Sequence, residues 1–123
     1  MVLVDTSVWI ALYRKQESEV AQKLWMLAAR NEAAVSGQVW VEFLGGFRKQ
    51  SVRSDYQSKL RAYPFLETTR AAYDRAAELL ALQPRLGAGD AIIAATAIET
   101  QSALFTIDSD FRGLTAHGLT LFS

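Results

Sequence analysis

Acidic side chains set in apolar surroundings are the part of this sequence best suited to chemistry. Asp5 ends the run Val2-Leu3-Val4, and Glu42 stands among Trp40, Val41, Phe43 and Leu44. Asp90 follows Gly87-Ala88-Gly89 at the head of a long apolar stretch, while Asp108 and Asp110 come just after Leu104-Phe105-Thr106-Ile107. Each has an ordinary structural reading. Asp5, or Ser7 beside it, can cap a helix; Asp90 can do the same, favoured by the helix dipole; Asp108 and Asp110 can be turn residues. Glu42 can point to solvent between apolar faces, although a charge so flanked needs either a polar face or a partner. A collective reading is also open. Carboxylates packed together repel one another and stay ionised only if a cation neutralises them. Oxygen ligands without histidine or cysteine suit Mg²⁺ or Mn²⁺. Such an ion stabilises the charge of an in-line phosphoryl displacement and activates the attacking water. The sole histidine, His117 in Ala-His-Gly, reads as a surface loop residue and a poor general base.

The collective reading requires elements that bring remote acids together. Val2-Leu3-Val4 is patterned as a strand buried on both faces, and Thr6, Ser7 and the apolar series Val8, Trp9, Ala11 and Leu12 start a helix at once. After polar Arg14 to Ser18, a helix is expected over Glu19 to Asn31, with Val20, Leu24, Leu27 and Ala28 as its buried stripe. Ala33 to Ser36 reads as a second strand. Ser36-Gly37 opens a helix carrying Val39, Trp40, Phe43, Leu44 and Phe47, within which Gly45-Gly46 implies close packing or a kink. Ser54-Asp55-Tyr56-Gln57 has the form of a capping box, starting a helix that ends near Tyr63-Pro64. Phe65 to Glu67 is a minimal third strand. Thr68 or Thr69 then caps a helix lined by Tyr73, Ala76, Ala77 and Leu80 and stopped by Pro84. The stretch Asp90 to Ile98 is apolar nearly all round and should be the central buried helix. Ala103 to Thr106 is a fourth strand, Asp108 to Phe111 a loop or helical turn, and Leu119 to Phe122 a last strand.

Strands alternating with helices predict an α/β fold: one three-layer domain over residues 1–123, its central, mainly parallel sheet flanked by helices. Parallel strands deliver their carboxyl ends to one edge, where ligands bind. Asp5 and Asp108 would be neighbours there. Asp90 would need a long preceding helix to reach them, and the helix of Glu42 could approach from the second strand.

Composition narrows the classes. The 123 residues suffice for a core without disulfides or a structural metal. Absence of cysteine removes thiolate nucleophiles and zinc–thiolate sites and suggests a reducing, cytoplasmic setting. No apolar run approaches the roughly 18 residues of a membrane span, and no charged leader precedes the first strand, so a soluble, unprocessed protein is expected. Thirteen basic residues balance thirteen acidic ones, so net charge gives no support for nucleic-acid binding. Arg48, Lys49, Arg53, Lys59 and Arg61, opposed only by Asp55, could track phosphates. Taken alone they read better as a solvated helix face.

At these residues the chain resembles the PIN-domain ribonucleases, and within them the compact VapC-type toxins of bacterial toxin–antitoxin pairs. Four motifs in order carry the resemblance: Val4-Asp5-Thr6-Ser7-Val8-Trp9, the acid Glu42 after the second strand, Asp90-Ala91-Ile92-Ile93-Ala94-Ala95-Thr96-Ala97, and Leu104-Phe105-Thr106-Ile107-Asp108-Ser109-Asp110-Phe111. It spans essentially the whole chain. It implies an endoribonuclease dependent on Mg²⁺ or Mn²⁺, with Asp5, Glu42 and Asp90 as core metal-site acids and Asp108 as the fourth. Asp110 is the second choice for that fourth place, and Thr6, Ser7 and Thr106 would lend polar support. It further implies an RNA substrate, a homodimer, and a small cognate antitoxin seated in a groove among the early helices, for which Trp9, Trp25, Trp40 and Phe47 are candidates. Two other classes compete. A catalytically inactive PIN-like interaction module would be free to lose its clustered charges, and the acid set is complete. An aspartyl-nucleophile phosphatase, as in haloacid-dehalogenase-like enzymes, needs a second aspartate two positions after Asp5, where this chain has Ser7.

Overall fold

The apolar run Val2–Val4 forms β1, buried at every position as a strand covered on both faces must be. The computed structural model describes residues 1–123 and places β1 inside a four-stranded, all-parallel sheet. With β2 (Ala33–Ser36), β3 (Phe65–Leu66) and β4 (Ala103–Phe105), the order is β3-β2-β1-β4. Leu3 pairs with Ala34 on one side and Leu104 on the other.

The chain steps outward from β1 to β3 and then returns to the far side of β1. Right-handed crossovers therefore put α1 (Thr6–Arg14), α2 (Glu19–Ala29), α3 (Gly37–Gly45) and α4 (Gln50–Leu60) on one face, with α5 (Arg70–Leu82) and α6 (Ala88–Glu99) on the other. Packing agrees: α1 lies on α2 and α3, and α5 on α6. The reversal makes a switch point between β1 and β4, where the chain leaves the sheet in opposite directions and opens a crevice.

Three corrections to the sequence reading bear on the site. Gly45-Gly46 is a stop rather than a kink: α3 ends at Gly45, which has nothing packed where a side chain would lie. The capping-box signal at Ser54 falls inside α4, which starts four residues earlier. The apolar stripe Val52, Tyr56 and Leu60 begins before that signal, and its last two members pack on the core. Leu119 to Phe122 is no full strand but a single parallel bridge, Leu104 to Leu121, left after the 3-10 segment Ser109–His117 consumes most of the remaining chain. Leu119 still anchors that tail in the core.

The hairpin of α5 and α6 carries Asp90 to the crevice. Thr68, just before α5, bonds Thr96 late in α6, which sets the start of α5 beside the end of α6, and Arg75 pairs with Glu99 at 2.7 Å to tie the two helices further. The 13 residues of α5 supply the long climb that the sequence reading required. Pro84–Leu86 and Gly87, at φ +85°, then turn the chain so that α6 starts at the carboxyl edge. Within α6, Ala91 and the run Ile93 to Ala97 are shielded from solvent, the central burial that its composition predicts.

Candidate metal centre

Asp5 follows the last residue of β1 and is only 3% exposed. It does act as the cap of α1, since the Ser7 amide approaches Oδ2 at 3.4 Å. The same oxygen accepts from Ser7 Oγ at 2.6 Å and from Thr106 Oγ1, just beyond β4, at 2.8 Å. Capping and site membership are thus compatible. Three donors converge on one oxygen and fix the carboxylate at the switch point.

Glu42 projects from α3 toward the same place. Its Oε1 accepts from Thr6 Oγ1 at 2.7 Å and its Oε2 from Gln38 Nε2 at 3.0 Å, so the carboxylate is tied to α1 and to its own helix. It also lies against Gly89, where a Cβ would meet Oε2, so any larger residue there would have to displace the Glu42 carboxylate. Asp90 is the next residue. Gly87 holds the cap position of α6 and no side chain caps that helix, so the reading of Asp90 as a cap fails.

Asp108 caps the 3-10 segment, its Oδ1 accepting from the Asp110 amide at 2.9 Å, while its own amide donates to Thr106 Oγ1 at 3.0 Å. It is a turn residue and a site neighbour at once. Asp90, Asp108 and Asp110 each present a carboxylate oxygen within 4.8 Å of the others. Asp5 and Glu42 stand outside this tight trio. They nonetheless act on it electrostatically: Asp90 is pushed up to about 6, first by burial, then by the charges of Asp5, Asp108, Glu42 and Asp110. Asp5 leads among the charges, consistent with its burial and weak screening by water, and exposed Asp110 comes last.

No basic side chain forms an ion pair with any of these five acids. The ion pairs of the protein are Glu19–Lys23, Asp55–Lys59 and Glu99–Arg75, all elsewhere. A nearly buried Asp5 and a raised Asp90, presenting oxygen donors only, are the environment that a hard divalent cation fits. His117 is exposed at the end of the 3-10 segment.

All four acids of the sequence reading, with Asp110, therefore gather at one edge, and Thr6, Ser7 and Thr106 bond to them. Gln38 and Gly89 were not foreseen. The i,i+4 spacing of Gln38 and Glu42 is the signal that would have found the first. Of the groove candidates Trp9, Trp25, Trp40 and Phe47, the first two share one cavity and Trp40 lies apart. Trp9 and Trp25 line a largely apolar cavity of about 530 Å³ between α1, α2 and α4. Trp40 instead packs on Phe65 of the edge strand, because it points along the opposite side of α3, and Phe47 stacks on Tyr56 beside a second pocket.

Comparison with known proteins agrees with this architecture. The PIN domain model matches residues 2–116, and the chain belongs to the PIN domain family. A toxin–antitoxin complex from Klebsiella pneumoniae contains a chain 27% identical over 93% of this one and 92% of its own, with a TM-score of 0.79. VapBC2 from Rickettsia felis, bound to a DNA fragment from its promoter, superposes with a TM-score of 0.82 at 21% identity, covering 99% of this chain and 98% of that one. VapC20 of Mycobacterium tuberculosis, a sarcin-ricin loop cleaving toxin, gives a TM-score of 0.69 at 20% identity over 99% and 98% of the two chains. The fold is that of the VapC-type toxins. No curated protein sequence matches the chain.

Proposed function

We propose that this protein is a metal-dependent endoribonuclease, the toxin of a type II toxin–antitoxin pair. The observation that carries the reading is the set of five carboxylates around Asp90, none of them in an ion pair with a basic side chain. Asp5, Glu42, Asp90 and Asp108 would hold Mg²⁺ or Mn²⁺, with Asp110 the alternative for the fourth place. Bound there, such an ion would polarise an RNA phosphodiester and acidify the attacking water. The chain's own part is positional. Ser7 and Thr106 aim Asp5, Thr6 and Gln38 aim Glu42, and Gly89 leaves room for the Glu42 carboxylate.

The VapC-type neighbours, one of them an RNA-cleaving toxin and others in complexes with antitoxins, support an RNA substrate and a small antitoxin partner. The apolar cavity beside Trp9 and Trp25 suits an apolar side chain of such a partner. A cytoplasmic homodimer completes the proposal, and no helix is long and apolar enough to cross a membrane.

The test is RNA cleavage by purified protein supplied with Mn²⁺, compared with Asp5→Asn and Asp90→Asn. Each substitution should lower the rate by at least about 100-fold, as should EDTA, with the fold retained by circular dichroism. Full activity in both variants overturns the reading. A wild type that neither binds Mn²⁺ nor cleaves RNA assigns the protein to the inactive-module class instead.

A further inference from the structure

The basic run Arg48 to Arg61, undistinguished in sequence, is divided by the fold into groups with different duties. Arg53 Nη1 donates to the Phe47 carbonyl at 2.7 Å, holding the loop after α3. Lys59 pairs with Asp55 and lies over the Tyr56 ring, 4.7 Å from its centroid. Arg48 and Lys49 do neither. Together with Arg14, from the end of α1, they rim a pocket of about 530 Å³. All three are exposed, and none is in an ion pair.

This pocket adjoins the acid cluster, because Glu42 is part of its wall. Its floor is apolar, with Phe43 and Val52, and its lip is aromatic: Tyr13, 47% exposed, meets Phe47 edge-on at 5.0 Å. Three free cations beside an aromatic lip match a phosphate joined to a flat base. The volume is that of a small-molecule site and accommodates one nucleotide. The three cations make no ion pair within the chain and share the pocket wall with Glu42.

We propose that Arg14, Arg48 and Lys49 form a phosphate-binding subsite that seats the nucleotide next to the scissile bond of a single-stranded RNA, with the base against Tyr13 and Phe47. This inference rests on the nuclease reading for the word scissile, but the binding itself does not. An RNA strand is preferred to an acidic protein segment because the pocket shares Glu42 with the acid site and offers a stacking surface, for which a carboxylate side chain has no use.

The test compares Arg14→Gln/Arg48→Gln with a control of equal charge loss, Arg30→Gln/Arg61→Gln, whose side chains lie outside the pocket. Binding of a short fluorescein-labelled single-stranded RNA is followed by anisotropy across a salt series with Ca²⁺ as the only divalent ion, and cleavage is assayed in parallel with Mn²⁺. The pocket variant should bind about tenfold more weakly and lose about 1.4 from the slope of log K against log salt, whereas the control loses far less. Coincident thermal unfolding of both variants shows that the fold is kept. Equal losses in the two variants, no loss in either, or no RNA binding by wild type each overturns the subsite. So does an unchanged RNA affinity accompanied by weaker binding of polyglutamate, which would hand the pocket to an acidic protein segment. Wild type that binds with the expected pattern yet never cleaves would remove the nuclease reading and keep the subsite.

Discussion

The two ends of α6 each gather polar side chains from distant parts of the chain, and the two gatherings are opposites. Near its end, fully buried Thr96 donates to the Ile92 carbonyl at 2.8 Å and shares a 2.8 Å hydrogen bond with Thr68. One turn on, Thr100 Oγ1 donates to the Thr96 carbonyl at 2.7 Å and lies 3.0 Å from Ser102 Oγ, within hydrogen-bond distance. Every member is neutral and has its partner. At the head of the same helix, five carboxylates meet with hydroxyls and amides to orient them but no ion pair to balance them. Closed networks hold a fold together, whereas an open one keeps capacity for something the chain does not itself supply.

Substitutions at the two ends should therefore separate stability from activity. Gly89→Ala places a methyl group on the Glu42 carboxylate. Displacing that acid should cost about 10- to 100-fold in Mn²⁺-dependent RNA cleavage while the midpoint of urea unfolding barely moves. Thr96→Val does the reverse. It should lower unfolding free energy by about 1 kcal/mol, read from denaturant titration, and leave cleavage unchanged. A Gly89→Ala protein with full activity, or a Thr96→Val protein with impaired activity at full stability, would break the contrast.

A smaller effect sharpens it. In the folded protein Asp90 holds its proton up to about pH 6, against an ordinary value of 3.8. The folded state therefore binds more protons than the unfolded one between those values, and this group's contribution to stability falls as pH rises through that window. Measured without divalent ions, the stability difference between Asp90→Asn and wild type should shift in favour of the variant from about pH 4 to about pH 6.5 and then level off. A difference that is flat across this range would mean that the carboxylates are less crowded than their placement indicates.

Much of this architecture is legible in the chain. Val2-Leu3-Val4 can be little other than a strand covered on both sides, and the all-round apolarity of Ala91 to Ala97 marks a central helix. Because parallel strands share a carboxyl edge, Asp5 and Asp108 can be paired from sequence alone. What sequence reading missed depends on contacts between elements. The start of α4 is decided by the stripe that opens at Val52 and seats Tyr56 and Leu60 on the core, which overrides the local capping signal at Ser54. The closeness of Glu42 to Gly89 is a helix–helix contact with no one-dimensional trace. Trp40 parts from Trp9, Trp25 and Phe47 because residues on one helix can face different layers, and Arg48 separates from Arg53 only when their partners are seen.

The central claim is that the acids around Asp90 share a divalent cation. Calorimetric titration of Mn²⁺ into the purified protein near pH 7.5, alongside Asp90→Asn, tests it most directly. Wild type should bind Mn²⁺ and, at about 100 times the dissociation constant, gain about 2.7 kcal/mol in unfolding free energy, whereas the variant should lose most of both. Equal Mn²⁺ affinity in the two proteins, or none in wild type, would contradict the account.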